Sequence, residues 1–142
     1  MILKFKLFLS FLVLVLIDQL TKFLTVTQVL NQGISFGWHQ GISQWWLVLL
    51  LVLVLLIFKF SSVNRSVFFQ LMVAFFLAGA IGNLIDRFFF GGVRDWLTWS
   101  SFNFSNNLAD IWITLGFSGI IYEELKLLFK KNKKVTDHDN KT

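Results

Sequence analysis

The sequence predicts an all-α integral membrane protein with four transmembrane helices, both termini cytoplasmic, and a reduced, short β/loop platform on the outer face. Three observations carry this. Hydrophobic residues make up 56% of the 142 positions and charged residues only 15%, a balance that one water-soluble domain of this size cannot hide. The apolar residues fall into long runs, and each crossing of a bilayer takes roughly 20 of them. Lys and Arg gather at alternate ends of those runs, as the positive-inside bias requires.

The first span is expected over residues 4–24. Met1 to Ile17 resembles a secretory signal, but no small-residue cleavage site follows, and the run passes instead into Asp18, Thr21 and Lys22; a retained helix is the better reading. The second span, residues 43–60, is the Leu and Val tract after Trp45 and Trp46. The third, 66–87, and the fourth, 107–129, carry small residues that a plain anchor does not need, and Gly79, Ala80 and Gly82 allow close backbone approach. The absence of Pro fits uninterrupted helices. One domain therefore covers 1–135, and 136–142, polar and without periodicity, reads as a disordered cytoplasmic tail.

Charge sets the orientation. Lys4 and Lys6, then Lys59 and Arg65, then Lys126, Lys130, Lys131, Lys133 and Lys134 share one side, the cytoplasm, whereas the outer side receives only Lys22, Arg87 and Arg94. The net charge of +5 thus reports topology, not nucleic acid, for which a basic stripe with interleaved polar residues is expected. With no Cys there is no disulfide, thiolate metal site, cysteine nucleophile or thiol lipidation. The outer segments are 25–42, whose alternating pattern before Asn31 and Gly33 suggests a short strand or hairpin, and 88–106.

Before Glu123 the chain holds only four acidic residues, Asp18, Asp86, Asp95 and Asp110, and the orientation places all four at or beyond outer helix ends. Ionisable groups at the membrane point to function, though each has a plainer reading. Asp18 and Lys22 have the spacing of a structural ion pair. Asn83, Asp86 and Arg87 share one helix face, where Arg87 can grip a carboxylate or a lipid phosphate. Asn107 and Asp110 also read as a capping box. Asp95, in the loop FGGVRDWLTW, has no helix to cap. Two carboxylates brought together in a partly dry site hold one proton between them and can activate water. His39 and His138 form no metal-ligand spacing, and Ser10 or Ser35 with Lys22 is a weakly placed dyad; no metal or cofactor is expected.

Five strings in order, DQLTK (18–22), NQGISF (31–36), GAIGNLIDR (79–87), GGVRDWL (91–97) and NLAD (107–110), resemble the lipoprotein signal peptidase (signal peptidase II) family over nearly the whole chain. The resemblance implies an aspartic endopeptidase of the bacterial cytoplasmic membrane that removes signal peptides from prolipoproteins carrying a diacylglyceryl group on the cysteine after the cut. It implies Asp95 and Asp110 as the catalytic pair, and Asn31, Gly79, Asn83, Arg87, Asn107 and Ala109 as residues that shape the site or hold substrate. Asp18, Lys22 and Asp86 look structural. The expected partners are lipid-modified prolipoproteins and membrane lipids, with no nucleic acid, and the chain is read as a monomer.

Two departures stand out. Only Phe23 to Leu30 separates the first two blocks, so the β-stranded platform of the family is expected to be cut down. In FNFSNNLAD, Asn103 competes with Asn107, and spacing to Asp110 favours Asn107. A catalytically silent membrane protein that binds lipid-modified chains is the rival reading; a small ion-conducting bundle is weaker, because the acids sit at the surface and not along a path.

Overall fold

In the computed structural model, residues 2–33, 52, 65–99 and 104–139 are described, and among them seven elements follow in order: α1 (Ile2–Leu24), β1 (Val29–Asn31), α2 (Val67–Phe90), β2 (Val93–Asp95), β3 (Leu97–Trp99), β4 (Phe104–Asn106) and α3 (Leu108–Asp139). The fold is mostly helical with a small sheet region. Residues 5–24 of α1 and 67–90 of α2 are long and apolar enough to cross a membrane. The second expected span, 43–60, lies outside the described residues apart from Val52, as do His39, Ser35 and Asn103.

The apolar side chains point outward. Phe5, Leu16, Leu20 and Phe23 of α1, Phe89 of α2, and Leu115, Phe117 and Leu128 of α3 are all exposed, whereas the fully buried side chains include Asp18, Lys22, Asp86, Asp95 and Asn107. That inversion is what a hydrocarbon solvent selects: lipid accepts Leu and Phe, and polar groups must find partners within the protein.

Small residues bring α2 and α3 together. A methyl group on Gly79 would fall on the Ala109 carbonyl oxygen, and one on Gly116 would fall on the Phe76 backbone nitrogen and lie 2.6 Å from the Met72 carbonyl oxygen. Ala78 and Ala109 are fully buried in the same seam. Such residues let backbones meet where no hydrophobic effect drives helices together. At one end of the pair, Arg65 meets Glu124 at 2.8 Å.

At the other end, α1 is tied to α2 by buried charge. Lys22 Nζ lies 2.9 Å from Asp18 Oδ2 and 3.2 Å from Asp86 Oδ2, with all three side chains fully buried. Arg94 of β2 adds a 2.8 Å contact to Asp86 Oδ1 and donates its backbone N–H to Asp86 Oδ2 at 2.9 Å. Asp18 Oδ1 accepts from the Ala109 N–H at 2.9 Å, which draws α3 into the cluster. Gly82 leaves the room: a methyl group there would lie 2.6 Å from Asp18 Oδ2.

Several sequence expectations are corrected. Segment 25–42 supplies the short strand expected of it, β1, but its mate is distant: β1 pairs antiparallel with β2, Val29 opposite Asp95 and Asn31 opposite Val93. A three-residue strand carries no signal of its distant mate. Segment 88–106, read as a loop, contributes β2 and the β3–β4 ladder, in which Leu97 faces Asn106; Asp95 ends a strand. Among the described residues the strands of this platform come from β1 at the end of the shortened first segment and, for the larger part, from the later segment. Helix α2 runs on to Phe90 and stops at Gly91, whose φ of 72° and ψ of 6° suit glycine and whose N–H caps the Arg87 carbonyl. Helix α3 continues past 129 to Asp139, through residues 136–139 that read as tail, because no Pro or Gly after Gly119 interrupts it.

Gly116→Leu should push α2 and α3 apart at a cost of roughly 1–3 kcal/mol, read as a lowered thermal midpoint in detergent, while Phe117→Leu on the exposed face leaves it in place. Lys22→Met should cost about 3 kcal/mol or more, because Asp18 loses its cation while buried; retention of the parental midpoint would contradict the role of this cluster.

Candidate functional site

The site is assembled where the C-terminal ends of α1 and α2 meet the two strand ladders and the first turn of α3. Asn83, three residues before Asp86 on α2, is mostly buried and accepts from Lys22 Nζ at 3.1 Å through its side-chain oxygen. Its amide nitrogen is thereby fixed and donates to Asp110 Oδ1 at 2.8 Å. The buried ion cluster is thus wired directly to Asp110.

Asp110 sits in the first turn of α3. The Asp110 N–H donates to Asn107 Oδ1 at 3.1 Å, and the Asn107 N–H donates back to Asp110 Oδ2 at 3.3 Å. This is the reciprocal pattern of a capping box, so the plain reading of the pair holds. It does not exhaust Asn107, whose amide nitrogen donates to Asp95 Oδ1 at 2.6 Å. One fully buried side chain therefore orients both aspartates.

Asp95 closes β2 and is 1% exposed. Its second oxygen, Oδ2, accepts from Asn31 Nδ2 at 3.1 Å. Asn31 is held in turn by the β1–β2 register and by the Gly33 N–H, which donates to Asn31 Oδ1 at 3.0 Å. Burial pushes the Asp95 carboxyl above the usual carboxylate range; amide donation from Asn107 and Asn31 works against this, and the nearby Asp110 charge adds to it. Two buried carboxyls side by side are suited to sharing one proton between them.

Arg87 Nη2 donates to the Gly33 carbonyl oxygen at 2.6 Å, pinning the NQG turn to α2. Its charge still lies within electrostatic reach of Asp110, Asp95 and Asp86. Gly79 and Ala109 act as spacers in the seam below. Ser10 bonds back to the Lys6 carbonyl oxygen at 2.9 Å in α1, away from Lys22 and its partners.

Sequence reasoning passed over Asn106. Its backbone carbonyl accepts from the Trp96 N–H at 3.0 Å, which fixes the end of β4. Its side chain fits its surroundings only with the amide nitrogen facing two acceptors, Asp110 Oδ2 and the Ser105 carbonyl oxygen, each at 3.1 Å. The doubled Asn before Leu108 was the available signal, but which of the two faces Asp110 depends on a strand register that spacing does not reveal.

The arrangement offers two carboxylates joined through one residue, Asn107, whose side-chain amide meets Asp95 and whose backbone N–H meets Asp110, with a guanidinium and an ammonium close by. It is suited to polarising water against an electrophilic carbon. A family model described as signal peptidase (SPase) II matches residues 7–126. The lipoprotein signal peptidase of Microcystis aeruginosa is 37% identical over 71% of this chain and 79% of its own length, and that of Fusobacterium nucleatum is 32% identical over 88% of each. A bacterial membrane enzyme solved by the in meso method shares the fold, with a TM-score of 0.72 and 24% identity across 85% of this chain and 88% of that one. Sequence blocks, paired aspartates and relatives agree: the chain belongs to the signal peptidase II family.

Proposed function

We propose that this chain is the membrane aspartic endopeptidase that cuts the signal peptide from diacylglyceryl-modified prolipoproteins, on the N-terminal side of the lipidated cysteine, with Asp95 and Asp110 as the catalytic pair. The observation that carries this reading is the bridge Asp95–Asn107–Asp110 where the C-terminal ends of α1 and α2 meet the first turn of α3. The ionised carboxylate takes a proton from water as the water oxygen attacks the scissile carbonyl, and the protonated carboxyl donates to the carbonyl oxygen. The resulting tetrahedral diol collapses as one hydroxyl returns its proton to the carboxylate that had donated it, the carboxyl that took the water proton passes it to the cysteine nitrogen, and the C–N bond breaks to release the cysteine amine. Asn31, Asn83 and Asn107 hold the pair in place, Arg87 fixes the turn beside it, and Gly79 and Ala109 set the helix spacing. Asp18, Lys22 and Asp86 form the frame.

The protein is a membrane protein. We place it in the bacterial cytoplasmic membrane, working as a monomer, as one domain over 1–135 whose four spans keep both termini inside and the aspartates at the outer face. The distribution of Lys and Arg supports this orientation. A substrate whose signal helix and lipid lie in the bilayer then meets the pair at membrane depth.

Asp95→Asn and Asp110→Asn should each lower release of signal peptide from a diacylglyceryl precursor by roughly 100- to 10,000-fold in proteoliposomes, with insertion intact. Normal release by either variant sinks the assignment, and a parental chain that binds precursor without cutting it establishes the silent alternative. Asp95 also makes a stability prediction. Because burial raises its folded carboxyl above the ordinary value of 3.8, the destabilising effect of ionising it is absent below that value, grows as pH rises through the folded value and is complete at neutral pH. Asp95→Asn should therefore melt above the parent at neutral pH, with the gap closing on acidification; a gap that widens in acid contradicts the buried-carboxyl account.

A further inference from the structure

Four carboxylate oxygens make up the Asp95–Asp110 pair, and each has its own asparagine. Asp95 Oδ1 takes Asn107 and Asp95 Oδ2 takes Asn31; Asp110 Oδ1 takes Asn83, and Asp110 Oδ2 faces the Asn106 amide nitrogen at 3.1 Å. The two ends are not equal. Asp110 Oδ2 also accepts the Asn107 backbone N–H at 3.3 Å and lies in the first turn of α3, where unsatisfied N–H groups and the helix dipole favour negative charge. Asp95 has its two amides and is 1% exposed.

We propose that Asn106 is a positioning residue for Asp110: its side-chain amide holds Oδ2, keeps that carboxylate in the ionised form, and leaves the proton of the pair on Asp95. Asp110 then enters the reaction as the base and Asp95 as the acid. The proposal rests on the pairing put forward above and deepens it by assigning the two roles.

The position suits the task. Asn106 ends β4 opposite Leu97, and its carbonyl is held by the Trp96 N–H, so the side chain leaves a backbone fixed by the ladder. Those ladder bonds are made by backbone atoms, and replacing the side chain leaves them in place. The other charges that face Asp110 come from every neighbouring element: Lys22 and Asp18 from α1, Arg87 from α2 and Asp95 from β2. None of them is altered by a change at Asn106, so a shift in the acidic limb reports the amide itself.

The test uses the full chain in lipid–detergent micelles with a diacylglyceryl precursor peptide, and follows kcat/KM and KM against pH. Asn106→Leu keeps the shape and removes the donor; the acidic limb of kcat/KM should move up by about one pH unit, a scale set by a hydrogen bond to a charged group. KM should stay within about twofold, since substrate contacts are untouched. Asn106→Asp places a second acceptor beside Asp110 and should move the limb further in the same direction; it keeps the size and polarity of the site if the Leu variant does not fold. Limbs that superimpose on the parent for Asn106→Leu or, where that variant does not fold, for Asn106→Asp overturn the proposal, even if the plateau rate falls. Asp110→Asn separates the two layers: residual cleavage in that variant defeats the pairing itself, whereas its inactivity together with unmoved limbs in the Asn106 variants defeats only the role assigned to Asn106.

Discussion

The structure hangs on one buried ammonium. Lys22 sits between Asp18 and Asp86 with no exposure of any of the three side chains, and every other polar contact of the site is reached from it in a few steps. Through Asn83 it orients Asp110; through Asp18 it meets the first turn of α3 at Ala109; through Asp86 it meets Arg94 and hence β2, the strand that ends in Asp95. Desolvating such a cluster is costly unless each partner is matched, and here the matching includes backbone N–H groups as well as opposite charges. In hydrocarbon the alternative to a matched cluster is an unmatched one, so its geometry is strongly specified.

Close helix approach is what makes that geometry attainable. Gly82 admits Asp18 against α2, and Gly79 with Gly116 admits the backbone of α3. These glycines and the buried charges solve one problem between them: the small residues bring the helix ends within hydrogen-bonding reach, and the polar contacts hold them where lipid offers little attraction between apolar faces.

Composition, run length and the placement of Lys and Arg were enough to read a membrane fold and to collect the acids at one end, because hydrophobic length and charge at span ends act locally along the chain. Strand pairing was not legible. A ladder such as Val29–Asn31 with Val93–Asp95 joins three-residue pieces more than sixty positions apart, and neither piece has enough alternation to declare itself. The same limit hid Asn106: choosing Asn107 by its spacing to Asp110 was sound, since i to i+3 geometry is fixed by the helix, whereas Asn106 acts through the position of a strand end. The end of α3 at Asp139 was misplaced for a different reason, as a polar Lys-rich segment carries the same composition whether it frays or continues a helix already nucleated.

Asn107 has a consequence for biogenesis. The side chain that closes the first turn of α3 is also the link between the two aspartates, so on the proposed assignment the hydrolytic centre does not exist until α3 has been made and docked. A nascent chain still threading into the bilayer, with α1 and α2 already in place, lacks this link and is proteolytically mute. A membrane crowded with half-inserted proteins is thereby protected from an enzyme that is itself only half inserted.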